Sequence, residues 1–136
     1  MVTFTLTYQG GLRCRMVHDQ SGTVLVSDAP LDNQGRGESF SPTDLVACGL
    51  GSCMTTVMGI VARRDGIALE GAQLRIEKHM TSTPPRKIAR LVLAFSMPTG
   101  IATTNRAKLE RAAHTCPVAL SLHPEITVEA AFGYPD

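Results

Sequence analysis

Four cysteines are the residues of this chain best suited to chemistry, because a thiolate is both a nucleophile and a metal ligand. Cys53 lies in an uncharged stretch of small and apolar residues, where a reactive thiolate would need a cation or a hydrogen-bond donor from elsewhere. Cys116 precedes Pro117, which favours the first position of a helix, so we expect this thiol to cap a short helix that stabilises its thiolate. Judged singly, either cysteine is more often a small buried hydrophobe.

The other two cysteines are predicted to be packing residues. Cys48 lies five positions before Cys53, a spacing that separates two helical side chains by about 140°, so this pair is not expected to form a disulfide. Cys14 alternates with Arg13 and Arg15 and should face the opposite side of its strand. The two arginines are the candidates to supply a cation to Cys53.

Other catalytic patterns are weaker in this sequence. His114 and Cys116 form the one close His–Cys couple, whereas a zinc site takes pairs of ligands at short spacing, so we predict no metal site. A nucleophile pair of Cys53 with His114 stays open, although no acyl-transfer signature surrounds either residue. The sequence contains no phosphate-binding GxxxxGK motif.

Composition excludes several classes of protein. The 136 residues carry 13 Lys and Arg against 12 Asp and Glu, and 43% of them are hydrophobic. This predicts a single domain, residues 1–136, with a buried core and no basic surface for nucleic acid. Scattered cysteines and an N-terminus that alternates like a strand, without a signal-peptide pattern, predict a cytoplasmic protein.

The elements that must position the two thiols can be read along the chain. Alternation predicts strands over about 2–9, 12–17 and 23–27, followed by an irregular loop over 31–40. The segment Ser41-Pro42-Thr43-Asp44 is typical of a helix start, with Ser41 as the cap and Asp44 completing a capping box. This helix carries Cys53 and should end just before Gly66.

The helix is apolar on all sides. Leu45 to Ala62 contains no charge, and its eighteen positions are just enough to span a membrane. Interspersed Gly, Ser and Thr favour a buried core helix instead, so we predict no membrane partner. Every face should then be covered by other elements or by a second subunit.

The second half predicts a hairpin over 69–80 and 87–96, a helix over 105–114 capped by Thr103 or Thr104, a helical turn after Cys116 and a last strand over 125–132. The element order βββαββααβ indicates an α+β fold with largely antiparallel sheets.

These motifs together resemble the OsmC/Ohr family of osmotically induced and organic-hydroperoxide-resistance proteins. The resemblance lies in Ser41-Pro42-Thr43-Asp44-Leu45, in Gly49-Leu50-Gly51-Ser52-Cys53 and in Cys116-Pro117-Val118, with the two cysteines sixty-three residues apart. Gly10-Gly11 and Ser27-Asp28-Ala29-Pro30 also fit.

The resemblance implies an intertwined homodimer with sheets shared around central helices, and a peroxidase that needs no cofactor. Cys53 would be the peroxidatic thiolate that cleaves the O–O bond of an organic hydroperoxide, and Cys116 the resolving thiol that forms a disulfide with it. A dithiol or small-thiol reductant would restore both cysteines. Arg13 best matches the arginine that assists the peroxidatic thiolate in the family, although Leu12 intervenes after the glycine pair.

One departure from the family pattern leaves an alternative open. Family members carry a Glu ten residues before the first cysteine, whereas this chain has Thr43 there and Asp44 one step later. The alternative is an OsmC-like small-molecule binding protein with weak or no peroxidase activity.

Overall fold

The computed structural model describes residues 1–135 and has the predicted order βββαββααβ. The chain divides into two compact units, one from Met1 to Val46 and the other from Ala47 onward. The elements are β1 (Phe4–Gly10), β2 (Arg13–His18), β3 (Val24–Asp28), α1 (Pro42–Asp65), β4 (Gln73–Met80), β5 (Ile88–Ser96), α2 (Thr103–Ala113), α3 (Pro117–Ser121) and β6 (Thr127–Gly133).

The first unit is built on an antiparallel sheet in the order β1-β2-β3. The β1–β2 turn passes through Gly10, Gly11 and Leu12, all with positive φ, which is the geometry that a Gly pair accommodates. One sheet face carries the apolar set of β1, in which Phe4 and Leu6 are 66% and 59% exposed. This face of the sheet is therefore largely exposed in the part of the chain that the structure describes.

The start of α1 confirms the predicted capping box. The Ser41 N–H donates to Asp44 Oδ2 at 2.8 Å, and the Asp44 N–H donates to Ser41 Oγ at 3.1 Å. These reciprocal bonds satisfy two backbone donors, one of them an orphan N–H at the helix start. The helix ends as predicted at Asp65, because Gly66 follows with a φ of +69°.

The second unit has its core between one face of α1 and the sheet β4-β5-β6. Buried residues of α1 recur every three or four positions, as an inward helical face requires: Ala47, Leu50, Met54, Met58 and Ala62. They join Leu91, Leu93 and Phe95 of β5 in one apolar cluster. At Gly51 a Cβ would lie 2.6 Å from Ile76 Cδ1, so the glycine permits a close approach between α1 and β4.

Two details of the second unit differ from the expectation. The last strand, β6, is parallel to β5, whereas the other three strand pairs are antiparallel. The reason is that α2 and α3 form a crossover between β5 and β6, so the chain returns in the same direction. In addition, α2 begins after Ala102 without a side-chain cap, so the cap predicted at Thr103 or Thr104 is wrong.

On the outer face of α1, Ile60 is 63% exposed among residues 1–135. This helix is also long and apolar enough to cross a membrane by length and composition, a property that the core helices of many globular proteins share.

Candidate functional site

Cys53 lies in the middle of α1, partly buried and packed against the apolar cluster of the second unit. Its neighbour Met54 points into the core with no exposed surface, whereas Ser52 is exposed. Cys53 therefore lies at the border between the buried and the accessible sides of the helix.

Cys116 is completely buried and is the N-cap residue of α3, as predicted from Pro117. Its Sγ accepts a hydrogen bond from the Ala119 N–H at 3.3 Å, and its carbonyl accepts one from Leu120 at 3.1 Å. The sulfur is thus held by the first turn of α3, with a backbone donor aimed at it.

The fold brings the two thiols together: Cys116 belongs to the apolar cluster of the second unit, Cys53 packs against that cluster, and Cys53 lies close enough to affect the pKa of Cys116. Burial is the largest cause that raises the pKa of Cys116, and the hydrogen bond and negative charge of Cys53 raise it further. The Ala119 N–H acts in the opposite direction but does not compensate. The predicted stabilisation of the Cys116 thiolate by the helix start is present, because the Ala119 and Val118 N–H groups lower its pKa, but desolvation of the thiolate is the larger effect and leaves the pKa raised.

The other two cysteines, which like Cys53 and Cys116 are free thiols, lie elsewhere: Cys14 on β2 and Cys48 in the first turns of α1. In the sheet of the first unit, Cys14 lies opposite Tyr8 of β1 and opposite Ser27 of β3.

Arg13 lies on β2 in the first unit, and its partner there was not predicted. Its Nη1 donates to Glu38 Oε2 at 3.1 Å, in an ion pair that is partly exposed on both sides. The Glu38 N–H donates in turn to Oδ2 of Asp28, the residue opposite Arg13 in the β2–β3 register, at 3.0 Å. Asp28 is fully buried, and its Oδ1 has no hydrogen-bond partner among residues 1–135.

Sequence reasoning missed Glu38 because it lies in an irregular loop without a periodic pattern, and the ion pair joins residues 25 positions apart. By contrast, the carboxylate of Asp44 takes part in the capping box, and the Thr43 hydroxyl lies 3.3 Å from that of Ser41. The acid partner of Arg13 therefore comes from the loop and not from α1.

His114 is exposed, and its ring lies edge-on to Phe132 with centroids 6.3 Å apart. Within residues 1–135 no three His, Cys, Asp or Glu side chains are grouped closely enough to hold a metal ion.

Comparison with known proteins identifies the chain's relatives. A family model described as OsmC-like protein matches residues 35–131, and a search of curated proteins finds no match. A crystal structure from Psychrobacter arcticus 273-4, named as an osmotic stress induced and detoxification response protein, is 40% identical with a TM-score of 0.92, over 98% of this chain and 96% of that one.

Two more distant structures share the fold. An organic hydroperoxide resistance protein OsmC from Legionella pneumophila is 19% identical with a TM-score of 0.76, over 98% of this chain and 96% of that one. The organic hydroperoxide resistance protein OhrB of Bacillus subtilis is 17% identical with a TM-score of 0.71, over 98% of each chain. With the family model matching well over half of its length, the chain belongs to the OsmC-like family.

Proposed function

We propose that this protein is a thiol-dependent peroxidase that reduces organic hydroperoxides. The observation that carries the proposal is the proximity of Cys53 and Cys116, two thiols sixty-three residues apart in the sequence that share one apolar cluster and interact with each other. Solved relatives named organic hydroperoxide resistance proteins share its fold and support the same substrate class.

Cys53 is the peroxidatic residue in this proposal, because it is the accessible member of the pair. Its thiolate attacks one oxygen of the O–O bond, the alkoxide leaves and is protonated to an alcohol, and Cys53 becomes a sulfenic acid. Cys116 then attacks that sulfur, losing its proton as water departs, and a disulfide remains. A dithiol or small-thiol reductant returns both cysteines to the reduced form.

Arg13 is the proposed cationic residue that stabilises the Cys53 thiolate and polarises the peroxide. Glu38 restrains its guanidinium through the 3.1 Å ion pair. Glu38 would then play the part of the helix Glu that this chain replaces with Thr43.

A homodimer is the proposed assembly. The β1 face with Phe4 and Leu6 and the outer face of α1 with Ile60 are apolar and largely exposed, and apolar patches of this kind mark protein interfaces. A second copy of the chain that covers both faces would bury the helix that is apolar on all sides.

A binding protein is the second candidate, favoured by Thr43 at the position of the family's Glu. Such a protein would keep the apolar interface but leave its thiols unchanged by peroxide.

Thiol counting separates the two candidates. The reduced chain has four free cysteines. A peroxidase should lose two of these thiols per chain rapidly after it is mixed with one equivalent of cumene hydroperoxide. Cys48→Ser, on the same helix, is the matched control and should also lose two. Cys53→Ser should keep all its thiols, and a wild-type chain that keeps four contradicts the peroxidase.

A further inference from the structure

We propose that the thiol reductant opens the oxidised site by attacking Cys53 Sγ, with Cys116 as the leaving sulfur. The proposal rests on the proposed function, since it concerns the disulfide formed there. It specifies where the reducing partner must reach the protein.

Access to the two sulfurs differs. A thiolate attacks a disulfide along the S–S axis, from the side opposite the leaving sulfur. Cys116 has 0% exposed surface and belongs to the apolar cluster of the second unit, so an attacking thiolate would have to enter the core. Cys53 is partly exposed. A second subunit can only reduce the exposure of both cysteines, so Cys116 stays closed in a dimer as well, whereas the proposed function already requires that Cys53 stay open to hydroperoxide.

The surroundings of Cys116 also suit a leaving thiolate. The Ala119 N–H already points at its Sγ, and a hydrogen bond to a charged acceptor is stronger than one to a neutral thiol. Cys53 lies within a long helix, where backbone N–H groups are bonded to carbonyls four residues earlier. A thiolate expelled from Cys53 would therefore find no comparable backbone donor.

Burial opposes the departure of Cys116, because it raises the pKa of that thiol. Two of the effects that raise this pKa are the hydrogen bond and the charge of Cys53, and both disappear while Cys53 is held in a mixed disulfide. The burial of Cys116, which blocks access to its sulfur, then determines that the reductant attacks Cys53 Sγ.

The electrons balance in two exchanges. The first reductant thiolate forms a bond to Cys53 Sγ and breaks the Cys53–Cys116 bond, leaving a Cys116 thiolate that takes up a proton. A second reductant thiolate attacks the reductant's own sulfur in the mixed disulfide, releases Cys53 as a thiolate and leaves the reductant as a disulfide. The reductant thus supplies two electrons.

Peptide mapping tests the site of attack. The full chain is oxidised with diamide, which needs no hydroperoxide, treated briefly with 2-mercaptoethanol, quenched in acid and digested. We expect the mercaptoethanol adduct on the Cys53 peptide in at least about tenfold excess over the Cys116 peptide. An adduct mainly on Cys116, or shared equally, overturns the proposal.

The reverse exchange gives a second test that does not depend on trapping a short-lived adduct. In folded Cys116→Ser, Cys53 should react with an aromatic disulfide reagent roughly a hundredfold faster than Cys116 does in folded Cys53→Ser. In roughly 6 M guanidinium, where both variants are unfolded, the two reaction rates should differ only by a few-fold. Equal rates in the folded variants overturn the proposal.

The two proposals fail in different ways. A disulfide that forms with diamide but not with hydroperoxide contradicts the peroxidase function, and the site of thiol attack can still be mapped on it.

Discussion

At the scale of single residues, the proposed peroxidase chemistry depends on the proximity of Cys53 and Cys116. The two thiols already interact in the reduced protein, so we expect the disulfide to form without unfolding of α1 or α3. A sulfenic acid on Cys53 should therefore be trapped before further oxidation.

Removing the resolving thiol should reveal this intermediate. Cys116→Ser keeps a strong N-cap residue for α3 but cannot form the disulfide. We expect a sulfenic acid at Cys53 that dimedone labels, and its conversion to sulfinic acid under excess cumene hydroperoxide, measured by mass spectrometry. Wild type and Cys48→Ser should show neither product at equal peroxide; a dimedone-free Cys116→Ser chain that still consumes peroxide would contradict the assigned roles.

The ion pair between Arg13 and Glu38 predicts a separation between activity and stability. Because both side chains are partly exposed, Glu38→Gln should change the free energy of unfolding by no more than about 1 kcal/mol. The variant frees the guanidinium, so we expect the second-order rate of peroxide reduction to fall several-fold, measured by stopped flow. In Arg13→Ala, the rate of peroxide reduction should fall at least as far. An unchanged rate in both variants would remove Arg13 from the proposed site.

At the scale of elements, the loop that carries Glu38 depends on a glycine. A Cβ on Gly35 would overlap the backbone carbonyl oxygen of Ala29, and a backbone atom cannot move aside as the end of a flexible side chain can. Gly35→Ala should therefore cost about 2–4 kcal/mol of stability, measured by chemical denaturation.

The neighbouring residue supplies the matched control. Gln34 has a φ of +69°, where glycine is favoured, so Gln34→Gly should be neutral or stabilise the chain by up to about 1 kcal/mol. Equal destabilisation by both substitutions would contradict the close approach of Gly35 to Ala29.

The end of β6 is joined to α2 by a contact that predicts alkaline sensitivity. Burial, followed by the hydrogen bond that Tyr134 Oη donates to Glu110 at 3.0 Å, raises the pKa of Tyr134 to about 12. The folded state therefore retains the phenolic proton that the unfolded chain loses near pH 10. This contribution to stability is complete below about pH 10 and is lost as the pH rises towards about 12.

Tyr134→Phe should consequently lose less stability than wild type between about pH 10 and pH 12. Guanidinium unfolding at several pH values measures the difference, and identical pH profiles would contradict the raised pKa.

Local signals made some elements predictable from the sequence. The start and end of α1 depend on Ser41, Pro42 and Gly66, which act within one turn of the chain, and both ends were predicted. The direction of β6 depends on the path of a crossover, and the contact of Arg13 with Glu38 depends on loop geometry over 25 residues. Neither leaves a sequence pattern. Alternation and residue spacing did not predict that Cys53 and Cys116 lie close together either. Only the family resemblance suggested that these two cysteines pair.

At the scale of the whole molecule, two exposed apolar faces predict a dimer. Leu6→Glu places a charge on the apolar face of β1 and should shift sedimentation or light scattering towards the monomer, because burying an unpaired charge is costly. Thr7→Glu lies on the opposite face of the same strand and is the matched control. A monomeric wild type, or equal effects of the two substitutions, would contradict the proposed assembly.

The central claim is that peroxide oxidation links Cys53 to Cys116 within one chain, and disulfide mapping after one equivalent of cumene hydroperoxide tests it most directly. We predict a single new linkage, between the peptides that contain Cys53 and Cys116, with Cys14 and Cys48 still free. A linkage through Cys14 or Cys48, or no linkage at all, would contradict the account.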